Sequence, residues 1–283
     1  MTKHTALPIG VFDSGVGGLT VLRAIRERLP HENFLYMGDT ARLPYGTKSQ
    51  DTIIRYSLQT TAKLVERGVK MLVIACGTAS SAALPILRET FAPLPVIGVI
   101  EPGAAAAVAA SRCKHVMVIA TEASIRGKAY EHAMRQCDAQ IRVTGRPCTL
   151  FVALAEEGWT SGPLVEGIAA RYLADLFTGK DTGTLPAPDT LLLGCTHFPP
   201  LREALQKVVG PGITLVDSAT TTAEAVFQAL QRMHIRRAIP QSLEEQTGQC
   251  VFLTTDDVER FQRTGSLFFG APIAREHIEL VDL

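Results

Sequence analysis

The sequence lacks the signatures of several large enzyme classes. Its six cysteines, at positions 76, 113, 137, 148, 195 and 250, form no C-x-x-C pair. A dithiol redox motif and a zinc ribbon are therefore both absent. Seven histidines are scattered along the chain with no H-E-x-x-H and no Cys/His cluster at ligand spacing, so no metal is assigned. There is no G-x-G-x-x-G, which removes the dinucleotide fingerprint. Lys plus Arg and Asp plus Glu both number 28, for a formal net charge of zero. No basic surplus points to nucleic acid or to a membrane surface. The longest apolar stretch, near Leu94 to Ala110, is interrupted by Glu101-Pro102-Gly103 and is not expected to span a membrane. Met1 to Pro8 lack the apolar core of a signal peptide, so a cytoplasmic location with free thiols is expected.

The chain has 283 residues, 46% of them hydrophobic and 20% charged. That is the composition of a soluble globular protein long enough for two domains. Two stretches organise it. One is Met71-Leu72-Val73-Ile74-Ala75-Cys76-Gly77-Thr78, the other Thr190-Leu191-Leu192-Leu193-Gly194-Cys195-Thr196-His197. Each is an apolar run of strand length ending in a small residue and a cysteine, with a threonine within the next two positions. Continuous apolar strands are the pattern of parallel sheets covered on both faces. Ligands of such sheets bind beyond the carboxyl ends of the strands, where both cysteines are expected.

The segments between follow an α/β order. Ile9 to Phe12 reads as a strand, Asp13-Ser14-Gly15-Val16-Gly17-Gly18 as a glycine-rich turn, and Leu19 to Leu29 as a helix. Asn33 to Met37 is a strand, followed by the loop Gly38 to Gly46. A helix capped by Ser49 or Asp51 runs to about Glu66. Val96 to Ile100 is expected as a strand and Ala104 to Ala110 as a helix. Val116 to Ala120, followed by Thr121-Glu122-Ala123-Ser124 and a helix, repeats the opening unit. From Asp13 to Cys76 is 63 positions and from Thr121 to Cys195 is 74, so each half has a strand–loop–helix leading to a strand–Cys. The fold class expected is α/β, with two similar open lobes of mostly parallel strands facing each other across a cleft.

A lone strand-end cysteine is usually a small buried hydrophobe. Two of them facing one pocket leave three chemistries open: a Cys–His nucleophile, a redox couple, or an acid and a base on opposite faces of one carbon. The duplication favours the last, since acyl transfer needs one cysteine and a redox couple more often uses C-x-x-C.

Together, Asp13-Ser14-Gly15-Val16-Gly17-Gly18, Gly38-Asp39-Thr40, Pro44-Tyr45-Gly46, Ala75-Cys76-x-Thr78-Ala79-Ser80 and Gly194-Cys195-Thr196-His197-Phe198-Pro199 resemble the glutamate racemases. The resemblance runs from about residue 8 to the C-terminus. It implies interconversion of L- and D-glutamate without a cofactor, supplying D-glutamate for peptidoglycan. By family role, Cys76 exchanges the proton on the D-glutamate side and Cys195 on the L-glutamate side, assisted by Asp13 and His197 respectively. Ser14, Tyr45, Gly46, Thr78, Thr196 and His197 line the substrate, largely through backbone N–H and hydroxyl groups, with Glu156 and Thr121 as further contacts. The family fold inserts the second lobe into the first, giving lobes of 1–98 plus 210–283 and 99–209. A homodimer and control by a peptidoglycan precursor are further implications.

One position departs from the family. Gly77 stands where Asn usually follows the first cysteine, so a side-chain amide facing the substrate is missing. Such a contact is worth roughly 1–3 kcal/mol, and altered glutamate binding is expected. The nearest rival activity is aspartate racemisation. The Pro44-Tyr45-Gly46 loop and His197 favour glutamate. From a different class, some relatives bind and inhibit DNA gyrase, and such a role would survive loss of both thiols.

Overall fold

The computed structural model describes residues 5–177, 187–239 and 247–283. The polar stretch after Leu176, which with Gly183 and two prolines is expected to be a loop, lies largely outside them. Strands β1 (Ile9–Asp13), β2 (Phe34–Gly38), β3 (Met71–Ile74), β4 (Val96–Gly98), β9 (Cys250–Thr254) and β10 (Ile278–Leu280) form one sheet, ordered β10-β9-β2-β1-β3-β4. Strands β5 (His115–Ala120), β6 (Arg142–Pro147), β7 (Thr190–Leu193) and β8 (Thr214–Asp217) form a second, ordered β6-β5-β7-β8. Every pairing in both sheets is parallel.

Parallel strands must be joined by crossovers, and helices supply them. Those flanking the site are α1 (Leu19–Arg28), α2 (Gln50–Glu66), α3 (Gly77–Thr90), α5 (Glu122–Arg126), α6 (Ala129–Cys137), α7 (Leu150–Glu156) and α11 (Val258–Phe269). Ser49, not Asp51, caps α2, its side chain accepting from the Thr52 N–H.

The period of two along each strand sorts side chains between cores. In β1, Ile9 and Val11 enter a central core while Phe12 enters an outer one. In β5, Val116 and Val118 join the same central core, and Met117 and Ile119 the outer core of the second sheet. Small residues of α4 (Ile100–Ala110) and α10 (Ser218–Arg232), among them Ala104, Ala107, Ala219 and Ala223, complete the central core and let these helices pack closely between the sheets.

Both sheets reverse their winding at one place. From β1 the chain moves outward to β2 and returns to β3 on the other side. From β5 it moves to β6 and returns to β7 on the other side. A crevice opens at each reversal, beyond the carboxyl ends of the two strands. The first crevice is flanked by Asp13 and Cys76, the second by Thr121 and Cys195. This is the physical content of the repeat read from sequence.

Two boundaries differ from those expected. β8 pairs with β7, so the second sheet extends to Asp217 and the chain does not return to the first sheet at 210. β4 ends at Gly98 and α4 starts at Ile100, ahead of Pro102. Proline in a first helical turn gives up no intrahelical bond, so it does not delay the helix.

Candidate active site

Cys76 follows β3 and is the N-cap of α3. Its Sγ accepts from the Ala79 N–H at 3.4 Å and, as a thiol, donates to Ser14 Oγ at 3.4 Å. Burial, with the neighbouring Asp13 charge, pushes the Cys76 thiol up to about 12, against the Ser14 and Ala79 hydrogen bonds. The resting group is therefore a thiol. The first N–H groups of α3, on Gly77 and Thr78, have no intrahelical acceptor and carry the positive end of the helix dipole.

Asp13 closes β1 and is 1% exposed. Its Oδ2 accepts from the Gly15 N–H at 3.0 Å, while Oδ1 has no protein partner. Burial raises its pKa; the His197 charge and backbone N–H groups of the glycine turn oppose that.

On the other side, Cys195 Sγ lies 3.8 Å from Nδ1 of His197, and Nε2 of the same ring lies 3.1 Å from Glu156 Oε1. Burial alone favours a neutral imidazole. Cys195, Glu156 and Asp13 together outweigh it and hold the His197 pKa up at about 10. The imidazolium in turn holds the Glu156 carboxyl below its usual range. A protonated ring beside Sγ stabilises negative charge on that sulfur.

The turn bearing His197 belongs to the second sheet, yet the first lobe grips it. Thr20 Oγ1 donates to the Thr196 carbonyl oxygen at 3.1 Å. Phe268 packs edge-on against the imidazole with centroids 5.1 Å apart. Arg260 Nη2 lies 3.5 Å from Glu156 Oε2. A Cβ on Gly17 would lie 2.5 Å from the ring and from Thr196 Oγ1, so the glycine turn leaves the space that His197 fills. Thr20, Arg260 and Phe268 carry no motif and were not singled out from sequence. Their partners lie tens to hundreds of residues away.

The two crevices face each other across a cavity of about 270 Å³. Ser14, Tyr45, Gly46, Cys76, Gly77, Thr78, Thr121, Glu156, Cys195, Thr196 and His197 all line it. Of the residues proposed from sequence, Asp13 alone is not in the lining; it lies just behind. Thr78 and Thr121 close the side, their Oγ1 atoms 2.9 Å apart across the lobes. Tyr45 differs from expectation in one respect. Its hydroxyl donates to Asp39 Oδ2 at 2.5 Å, and its side chain is buried. That hydroxyl is committed to the protein, so Tyr45 offers the cavity its backbone and ring. Asp39 also accepts from Arg42 Nε at 2.7 Å and from Thr255 Oγ1 at 3.1 Å, which fixes the whole 39–47 loop over the cavity.

Residues 9–226 match the family model for Asp/Glu/hydantoin racemases. The chain belongs to this family. A glutamate racemase of Geobacter metallireducens is 45% identical over 265 residues, covering 94% of this racemase-family chain and 93% of the relative. A crystal structure of glutamate racemase from Francisella tularensis in complex with D-glutamate matches with a TM-score of 0.86 at 34% identity, over 98% of each chain. That of Escherichia coli glutamate racemase in complex with L-glutamate and the activator UDP-MurNAc-ala matches at 0.73 and 28% identity, covering 93% of this chain and 95% of that one. Among the described residues of this family member, no cluster of His, Cys, Asp or Glu is arranged to hold a metal ion, and no helix is long and apolar enough to cross a membrane.

Proposed function

We propose that this protein interconverts L- and D-glutamate by passing the substrate α-proton to one sulfur and returning a different proton to the α-carbon from the other. The observation that carries the reading is the pair Cys76 and Cys195, at the ends of equivalent strands of two sheets, lining one cavity from opposite sides. Inversion of a stereocentre requires a base on one face and an acid on the other. From D-glutamate, Cys76 as thiolate takes the α-proton and the carbanion is reprotonated on the opposite face by the Cys195 thiol. The C–H bond electrons stay on carbon and form the new C–H bond, so no redox partner is required. The reverse reaction exchanges the roles.

Each sulfur has its own assistant. His197, oriented by Glu156, moves charge onto and off Cys195. Asp13, with one free carboxylate oxygen, serves Cys76. The N–H groups of Gly77 and Thr78 and the turn at Thr196-His197 receive the substrate carboxylates, as helix N-termini and exposed backbone donors do. Preorganised donors at the reacting carboxylate also stabilise the charge that builds up as the α-proton leaves.

The cellular role that follows is supply of D-glutamate for peptidoglycan, in the cytoplasm, where the six free cysteines stay reduced. Response to a peptidoglycan precursor follows by the same reading from the activator bound to the E. coli relative. The test is polarimetric: each enantiomer of glutamate, incubated with the protein, decays to zero rotation. Faster decay with aspartate than with glutamate would reassign the substrate.

A further inference from the structure

Gly77 opens α3 directly after the first thiol, and its surroundings give it a steric role. A Cβ built on Gly77 lies 2.8 Å from the carbonyl oxygen of Gly194. Gly194 immediately precedes the second thiol, and its carbonyl belongs to the other sheet. Most close approaches to a new methyl group are relieved by a side chain swinging aside. Here the obstacle is backbone, fixed from behind. The Tyr130 hydroxyl donates to the Gly194 oxygen at 3.3 Å, and the Gly194 N–H donates to Ile119 O at 2.7 Å. Gly194 is itself boxed in. A Cβ there would stand 2.9 Å from both Ile119 O and the Tyr130 ring. The contact is therefore a backbone stop between the lobes, flanked on each side by a thiol.

We infer that Gly77 is a positioning residue: the bare backbone at 77 sets how closely the two lobes, and with them Cys76 and Cys195, approach across the cavity. This rests on the two-thiol reading, in which both sulfurs must reach one α-carbon. Any side chain at 77 meets the Gly194 oxygen first, so it wedges the lobes apart. Asparagine is no exception, since its Cβ occupies the same place as that of alanine. The glycine thus does more than omit a substrate contact. Restoring the amide in this chain brings a clash with it.

The steady-state test uses the whole chain as wild type, Gly77→Ala and Gly77→Asn, with kcat and KM measured for both enantiomers. A misplacement near 1 Å costs about 100-fold in rate, so kcat of Gly77→Ala is expected to fall by roughly 10-fold or more in both directions, with KM changing by less than about 3-fold. A mere missing contact gives another pattern: Gly77→Asn lowers KM and kcat is kept. Tyr130→Phe releases the Gly194 carbonyl from behind, so the Gly77→Ala/Tyr130→Phe double variant is expected to regain part of the lost kcat, a non-additive effect. If Gly77→Ala does not fold, the double variant carries the test against Tyr130→Phe alone; a lower kcat supports the inference and an equal one overturns it. For a folded Gly77→Ala, a kcat within about 2-fold of wild type overturns it, being far from the loss a displaced thiol causes. Wild-type protein that racemises neither enantiomer overturns the two-thiol reading itself, which a silent Gly77 substitution does not.

Discussion

Nε2 of His197 stands 3.1 Å from Oε1 of Glu156, on the side of the ring away from Cys195. The carboxylate therefore holds the imidazole as a cation against burial, and the cation serves the sulfur. Glu156→Gln keeps the shape and removes the charge. The proton on His197, retained to about pH 10 in the native protein, is then lost at lower pH. The alkaline limb of the kcat profile for L-glutamate is expected to move down in pH, and kcat to fall about 100-fold, the lower end of a general acid–base contribution.

Because the two enantiomers have equal free energy in water, Glu156→Gln must change kcat/KM by one factor in both directions. Asymmetry is visible elsewhere. Slowing the Cys195 half of the reaction makes it rate-limiting, so the primary deuterium isotope effect on α-deuterated L-glutamate is expected to rise in Glu156→Gln. An isotope effect unchanged for L- and raised for D-glutamate would exchange the roles of the two thiols.

The site is sensitive to alkali because its partners hold the proton on His197 and burial holds those on Cys76 and Asp13. His197 binds its proton more tightly when folded, so its stabilising contribution is full below its ordinary 6.5 and is lost as pH rises to about 10. Cys76, raised from 9.0 to about 12, contributes with the same sign over a higher window, and Asp13, also raised, acts likewise at lower pH. The midpoint of thermal unfolding is expected to fall steadily from pH 7 to pH 10.5, and more gently above pH 9 in Cys76→Ala. Differential scanning calorimetry across that range checks both.

Asp39 holds the loop over the cavity through Arg42, Tyr45 and Thr255. It is fully buried, so Asp39→Ala takes the acceptor from the buried Tyr45 phenol and the charge partner from Arg42, whose guanidinium keeps its hydrogen bonds to Gln59 and Thr60. Stability is expected to drop by about 1–3 kcal/mol, the cost of leaving a buried hydrogen-bonding group unsatisfied. Because the loop lines the cavity and does no proton transfer, KM rises more than kcat falls. Denaturant unfolding and steady-state kinetics read the two effects separately.

The centre of the site was legible because it is local. A buried parallel strand writes itself as a continuous apolar run, and Cys76 and Cys195 each stand two or fewer residues beyond one. Asp13 closes a strand of the same class, and Ser14, Thr121 and His197 lie on the turns that follow such strands. Edge strand β6, Arg142-Val-Thr-Gly-Arg-Pro147, was missed because it is half-exposed and carries Gly and Pro, so neither alternation nor an apolar run marks it. The grip on His197 by Gly17, Thr20 and Phe268 had no signal, since it depends on how two lobes dock. The same holds for Gly77. Sequence marks it as a missing amide, and its steric meaning appears only when Gly194 is placed opposite.

The two-thiol account is tested most directly by α-deuterium incorporation in D₂O, followed by NMR and polarimetry, with wild type, Cys76→Ala and Cys195→Ala. Wild type is expected to deuterate the α-carbon as it inverts each enantiomer, and neither variant to invert either one. Inversion by Cys76→Ala or Cys195→Ala, in folded protein, would contradict the account.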